Sequence, residues 1–430
     1  MFERFTRARR HRQRVISQSH YQTVSFTARD CCHAAPFRNT SMSALMPTYK
    51  RLPVAFVRGR GALLYDQHNQ EYIDGVSGIA VTNLGHCHPA VTDAISEQAQ
   101  SLVHTSNLYR IPQQELLAAQ LSGMTGMEAL FFCNSGAEAN ETAIKLARRY
   151  GHGKGIETPT IIVLESAFHG RTMGALAATG NRAIQTEFAP MLPGFLRLPR
   201  NDIEAMREAA KHPNIVAVLL EPVQGEGGVW PLDPDYLKGV KALCHEYDWL
   251  LMFDEVQSGN GRCGAPYAFQ RLDVVPDVLI TAKGLGNGFP IGCCMAKGRA
   301  AHVLSPGDHG TTYGGSPLAC AAAGAVINTL SAERLYDAAE PIRAAVIAGL
   351  HDRLETPEKV VDIRGLGLMI GIEVAVACDT LVIEALKRQT LINVTAGNVI
   401  RLLPPLVMTI DQAHRLGQTV ADILNTQPAT

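Results

Sequence analysis

The chain has 430 residues, 46% of them hydrophobic, and a mean hydropathy of +0.02, enough for two or three domains around a packed interior. A formal net charge of −1 leaves no electrostatic footprint for nucleic acid, and no uncharged apolar stretch reaches the ~18 residues needed to cross a membrane. The ten cysteines are scattered without a C-x-x-C pair, as expected of reduced, buried thiols.

Residues 1–45 differ from the rest. They hold eight arginines (Arg4, Arg7, Arg9, Arg10, Arg12, Arg14, Arg29 and Arg38) against Glu3 and Asp30, and they lack the apolar core of a secretory signal. Two readings stay open. An Arg-rich, acid-poor stretch suits a transit peptide for a mitochondrial or plastid matrix. Alternatively it lies outside the folded product, translation starts at Met42 or Met46, and the protein is cytoplasmic. Residues 46–110 read as an N-terminal segment, with strands at Ala62–Asp66 and Glu71–Asp74 and a helix from Pro89 to Leu102.

Residues 111–325 read as a large domain in which short apolar strands alternate with helices. Strands are predicted at Ala129–Phe132, Thr160–Leu164, Ile215–Leu220, Leu250–Phe253, Val278–Ile280 and Ile291–Met295. Helices are predicted at Ala137–Tyr150 and Pro234–Tyr247, and the small-residue run Leu318–Ile327 reads as a buried helix. This alternation predicts an α/β fold with a mostly parallel sheet covered on both faces. Residues 326–430 read as a small C-terminal α+β domain, with Gly365–Ile372 as one strand.

The chemistry gathers at strand ends, where open α/β sheets bind ligands. Lys283 follows the run Val278–Ile280 and is set among small residues. A lysine so placed can form a Schiff base with a carbonyl cofactor. Asp254 ends the run Leu250–Phe253 and can hold a pyridine nitrogen protonated. The pair is the minimum equipment for pyridoxal phosphate (PLP) chemistry. Ser135, Gly136 and Ala137 follow a strand and open a helix, where unpaired amides and the dipole favour a phosphate; alone, the segment reads first as an ordinary N-cap, and Lys283 and Asp254 beside it reverse that reading. Phe168 and Arg171 follow the strand 160–164 and can stack on a ring and bind a carboxylate, or serve as core and surface residues. Glu226 lies in a glycine-rich turn, and Arg401 sits among apolar residues that call for a partner. His86 and His88 form no convincing metal pair, and no metal is expected.

Together these motifs resemble the class III aminotransferases of PLP fold type I, from about residue 47 to the C-terminus. The resemblance implies a large domain with a seven-stranded, mostly parallel sheet and a small α+β domain. It implies that Lys283 binds PLP covalently and moves the proton, and that Asp254 pairs with the pyridine nitrogen. Gln257 then lies near the ring hydroxyl, Val256 and Phe168 cover the two ring faces, and Gly136 and Ala137 form the phosphate cup. Thr312 would reach the phosphate of a neighbouring subunit, which implies a homodimer with shared active sites. Arg171 would hold the substrate carboxylate. Glu226 would neutralise Arg401 while the amino donor is bound and release it for the second carboxylate of 2-oxoglutarate.

Within the class, residues 46–56, Gly78–Val81 and His169 are most similar to the acetylornithine aminotransferases. Ile79 stands where the ornithine enzymes carry a tyrosine and leaves apolar surface for an acyl group, while Tyr49 keeps a tyrosine near the substrate carboxylate. The implied substrates are acetylornithine and 2-oxoglutarate/glutamate, with succinyl-diaminopimelate as a further acylated donor. Ornithine and 4-aminobutyrate aminotransferases, an aminomutase and a non-catalytic binding protein remain as alternatives.

Overall fold

The computed structural model describes residues 44–427, so the extension read at 1–45 lies almost wholly outside the described residues. Residues 44–52 belong to a unit separate from the one that begins at Pro53. They form neither helix nor strand and are exposed, Tyr49 included.

The unit from Pro53 is built on a seven-stranded sheet: β1 (Ala129–Cys133), β2 (Thr160–Leu164), β3 (Phe195–Leu198), β4 (Ile215–Leu220), β5 (Leu250–Asp254), β6 (Val278–Thr281) and β7 (Gly292–Ala296). The spatial order is β1-β7-β6-β5-β4-β2-β3. Only β7 runs against its neighbours, β6 and β1; the remaining pairs are parallel. Every residue of β4, β5 and β6 is buried, as apolar runs covered on both faces require. Successive side chains serve opposite layers: Leu251 and Phe253 join one apolar cluster, Leu250 and Met252 another. β3 was not predicted. Its four residues include Arg197, whose Nη2 donates to the carbonyls of Ala177 and Thr179, so this edge strand carries a charged residue that breaks the apolar pattern.

Around the sheet lie α1 (Pro89–Ser101), α2 (Pro112–Thr125), α3 (Gly136–Gly153), α4 (Met173–Ala178), α5 (Pro234–Glu246) and α6 (Pro317–Ala332). Four of them, α1, α2, α5 and α6, start with proline, which suits a first turn whose amides have no partner within the helix. The strands Phe56–Arg60, Leu63–Asp66 and Glu71–Asp74 form a meander whose last strand pairs with Thr390–Leu391, so the N-terminal segment shares a sheet with the C-terminal part.

A second sheet contains β8 (Val360–Leu366), β9 (Met369–Val374), β10 (Asn393–Thr395) and β11 (Val399–Leu402), all antiparallel, in the order β8-β9-β11-β10. The single strand expected at Gly365–Ile372 is therefore a hairpin. Its turn contains Gly367 at φ +55, where a Cβ would lie 2.6 Å from the carbonyl carbon of Cys263. The helices α7 (Ala339–Arg353) and α8 (Ile410–Asn425) pack on this sheet and on each other through glycines.

At that crossing a Cβ on Gly417 would lie 1.9 Å from the Val346 carbonyl oxygen, and one on Gly349 would lie 2.0 Å from that of His414. Gly→Ala within a helix ordinarily gains about 1 kcal/mol. Here backbone blocks the methyl, so the helices must separate. We expect Gly417→Ala to cost about 1–3 kcal/mol net, read as a lower urea midpoint at unchanged m. An equal or higher midpoint would show that the crossing has slack.

Candidate active site

The expected residues converge at the carboxyl ends of β5 and β6 and beside the start of α3. Lys283 follows β6 and opens a tight turn at φ +44. That backbone is held from behind. Arg262, fully buried, donates to Asn83 Oδ1 and the Pro404 carbonyl. Asn83 donates to the Asn260 carbonyl at 2.9 Å, and Asn260 Nδ2 donates to Thr281 Oγ1 at 2.9 Å and the Ala282 carbonyl at 3.2 Å. Burial lowers the Lys283 amine from its ordinary range; Glu226 opposes that shift and Arg401 adds to it.

Asp254 ends β5 with 4% of its surface exposed. Oδ2 accepts from Asn140 Nδ2 at 2.8 Å and lies 2.8 Å from His169 Nδ1, while Oδ1 accepts from the Val256 amide at 3.1 Å. Sequence reasoning missed Asn140, and it used His169 only to separate related enzymes. Asn140 sits one turn into α3 and faces the sheet, a position that helical spacing from Gly136 marks out once that start is known.

Ser135 caps α3, its Oγ accepting from the Glu138 amide at 3.2 Å. A Cβ on Gly136 would lie 2.7 Å from Val256 Cγ1, so only glycine lets the first turn descend onto Val256. Gly170, at φ +138, approaches Ala137 so closely that a Cβ there would lie 2.8 Å from the alanine methyl. Phe168 donates its amide to Glu221 Oε1 at 2.8 Å, and the Arg171 guanidinium lies 5.1 Å from the Phe168 ring centre. Arg171 is exposed and lines a cavity of about 460 Å³ with Phe168, Arg182, Glu226 and Thr395.

Glu226 Oε1 lies 2.5 Å from Arg401 Nη1. Arg401 is 1% exposed and the Glu226 side chain 38%, so the carboxylate is the accessible member. Burial raises the Glu226 carboxyl, but Arg401 beside it brings it below the usual range. Gln257 is buried with Oε1 3.5 Å from Arg401 Nη1. Asn393 and Thr395, which the sequence did not single out, hold Arg401 and the Glu226 carbonyl.

Among the expected residues, Thr312 and Ile79 lie outside this hydrogen-bonded cluster. Thr312 is exposed on a loop tied to the end of β1 by Asn134 Nδ2 and Thr311 Oγ1 at 3.3 Å. Ile79 is 37% exposed at φ +66, an outlying conformation for a β-branched residue, in a turn held by Ser77 Oγ to the Leu403 carbonyl at 2.7 Å. Its neighbour Ala80 packs in one apolar cluster with Val223 and Val229, which flank the Glu226 turn. Tyr49 lies in the separate N-terminal unit. Among the described residues no His, Cys, Asp and Glu side chains cluster to hold a metal; His86 Nε2 lies 2.7 Å from Asp74 Oδ2. No described helix is long and apolar enough to cross a membrane.

An amine depressed by burial, a buried carboxylate at a strand end, a helix start with open amides and two packing surfaces, Val256 and Phe168, fit PLP. The sequence pattern of the family described as aminotransferase class-III matches residues 45–424, and the chain belongs to that PLP-dependent family. It is 51% identical to an acetylornithine aminotransferase of Nitrosomonas europaea over 89% of this chain and 98% of that protein. It is 48% identical to acetylornithine aminotransferase 1 of Bordetella pertussis, over 89% and 98% respectively. Solved structures similar to it include the ornithine aminotransferase of Toxoplasma gondii (TM-score 0.85, 33% identity, 89% of this chain and 92% of that one). Another is the acetylornithine aminotransferase of Elizabethkingia anophelis (TM-score 0.79, 33% identity, 88% and 96%).

Glu221 supplies a test of the buried electrostatics. Burial pushes its carboxyl up to about 7, aided by the charge of Asp254 and opposed by His169 and the amides of Phe168 and Gly225. Folding therefore favours the protonated acid. That contribution is fully present below the unfolded value of 4.5 and is lost as pH rises through 7. The loss is on the order of 3 kcal/mol at about 1.4 kcal/mol per pH unit. The stability of the PLP-loaded wild type minus that of Glu221→Gln should fall across this window in urea unfolding. A difference that stays flat or rises would contradict the assignment.

Proposed function

We propose that the chain moves the terminal amino group of N2-acetylornithine to 2-oxoglutarate, giving N-acetylglutamate 5-semialdehyde and glutamate, as a step in arginine synthesis. The observation that carries this reading is the pairing of buried Arg401 with Glu226, which lines the cavity that also holds Arg171. A site serving first an acylated diamine acid and then a dicarboxylate needs one constant cation and one that can be cancelled. Arg171 is the constant one. Glu226 cancels Arg401 while the donor's neutral acyl end is present and turns away for the second carboxylate.

Bound here, PLP would supply an electron sink for negative charge at the substrate carbon that bears the amine. Lys283 is the residue to hold its aldehyde, Asp254 its pyridine nitrogen, and Gln257 its ring hydroxyl. Val256 and Phe168 would enclose the ring, while the amides of Gly136 and Ala137, beside Ser135, would receive the phosphate. The depressed amine of Lys283 suits it to take a proton from the substrate carbon at Nζ. Asn140 and the His169 ring orient the Asp254 carboxylate. Ile79 is assigned to the acyl end of the donor. Thr312 is assigned to the phosphate held by a second copy, which makes the assembly a homodimer with shared sites. The exposure of Leu108, Tyr109 and Tyr313 supports such an interface. A cytoplasmic location suits this assignment.

The deciding experiment is a panel of N2-acetylornithine, ornithine, 4-aminobutyrate and succinyl-diaminopimelate with and without 2-oxoglutarate. We expect kcat/KM for acetylornithine to exceed that for ornithine by about tenfold or more, equivalent to about 1.4 kcal/mol of differential binding. Equal or better use of ornithine, or turnover without a keto acid, would overturn the assignment. Asp254→Asn should cut kcat by about a hundredfold, on the order of 3 kcal/mol for a lost charge contact in a dry site. An unchanged kcat would remove Asp254 from the chemistry.

A further inference from the structure

Asn393 lies directly opposite Arg401 in the ladder between β10 and β11. Its Oδ1 accepts from Arg401 Nε at 3.0 Å and Nη2 at 2.6 Å, while Nη1 faces Glu226. The guanidinium is thus held between a carboxylate on a glycine-rich turn and an amide oxygen fixed by strand pairing, with Gln257 Oε1 at a longer 3.5 Å from Nη1. Two residues along the same strand, the Thr395 hydroxyl donates to the Glu226 carbonyl. β10 therefore anchors the backbone of one arm and the side chain of the other, and leaves the Glu226 side chain as the part able to move.

Arg401 is almost fully buried, and a buried guanidinium left without partners is unstable. When Glu226 turns away, an acceptor must remain on the far edge, and the charge must survive to attract a carboxylate. An amide oxygen meets both needs: it satisfies two N–H groups and adds no charge. An aspartate would form a permanent bidentate pair and cancel Arg401 throughout the cycle. We propose that Asn393 is a positioning and specificity-determining residue that keeps Arg401 oriented and charged, so that a second substrate carboxylate can replace Glu226. This inference rests on the two-substrate reading of Glu226 and Arg401.

The test titrates PLP-loaded protein with glutarate and with valerate, the same carbon chain with one carboxylate, and follows binding by calorimetry. Asn393→Asp should lower the preference for glutarate over valerate by about tenfold or more, because the added carboxylate takes the same donors. Asn393→Ala should lower the preference less, since it loosens Arg401 without cancelling it. Arg401→Ala sets the floor. If Arg401→Ala keeps the wild-type preference, the two-substrate reading and this inference fall together. If Arg401→Ala abolishes it while both Asn393 variants retain it, the role of Asn393 alone is overturned. Loss of glutarate and valerate in equal measure would also overturn it, since that is what mere strand packing predicts.

Discussion

Asp254 has given up nearly all its water, and burying a carboxylate costs several kcal/mol unless its lone pairs are used. The donors come from three places: Asn140 in α3, His169 after β2 and the Val256 amide after β5. Meeting that demand fixes much else. Asn140 can reach Asp254 only if α3 starts low on the sheet, which brings Gly136 down onto Val256. His169 can reach it only if the segment after β2 turns inward, which sets Phe168 beside Glu221 and Arg171 at the cavity. One buried charge thus locates an anion-binding helix start, a ring face and a carboxylate-binding arginine.

Around it the charges are interleaved. Lys283 and Arg401 sit among Asp254, Glu221 and Glu226, and the Lys283 amine is subject to the charges of all four. Burial alone would push Lys283 down and Glu221 up, and it does; Glu226 moves the other way because Arg401 lies beside it. The difference is one of partners. Lys283 has charged neighbours at a distance, whereas Glu226 has a guanidinium in hydrogen-bond contact. A lysine left without such a bond is available for covalent chemistry, while its backbone is secured by the Arg262–Asn83–Asn260 network.

The glycines mark where elements press together. Gly136, Gly170, Gly367 and Gly417 each stand where a methyl would meet another segment. At Gly367 that approach explains a difference between sequence and structure. Residues 365–372 alternate small and apolar types, which reads locally as one strand. The backbone of Arg262 and Cys263 reaches this point only in the folded chain, and it turns the strand into a hairpin.

Most of the sheet was legible from the sequence because its strands are short, apolar and buried on both faces, a pattern that needs no knowledge of neighbours. Lys283 and Asp254 were legible for the same reason, each being the charged residue that ends such a run. Local pattern did not reveal the partners. Asn140 and His169 stand 114 and 85 residues from Asp254, while the Glu226–Arg401 pair, 175 residues apart, was implied by the family resemblance and not by local pattern. Arg401 reads in sequence as a lone charge among apolar residues. Only the register of β10 against β11 gives it Asn393, because cross-strand pairing depends on how two distant segments align and not on the composition of either. The sequence by itself determined which chemistry was present and at which strand ends. The tertiary structure decided which neutral and charged groups hold each reactive side chain, since hydrogen bonds of about 3 Å are set by the packing of whole elements.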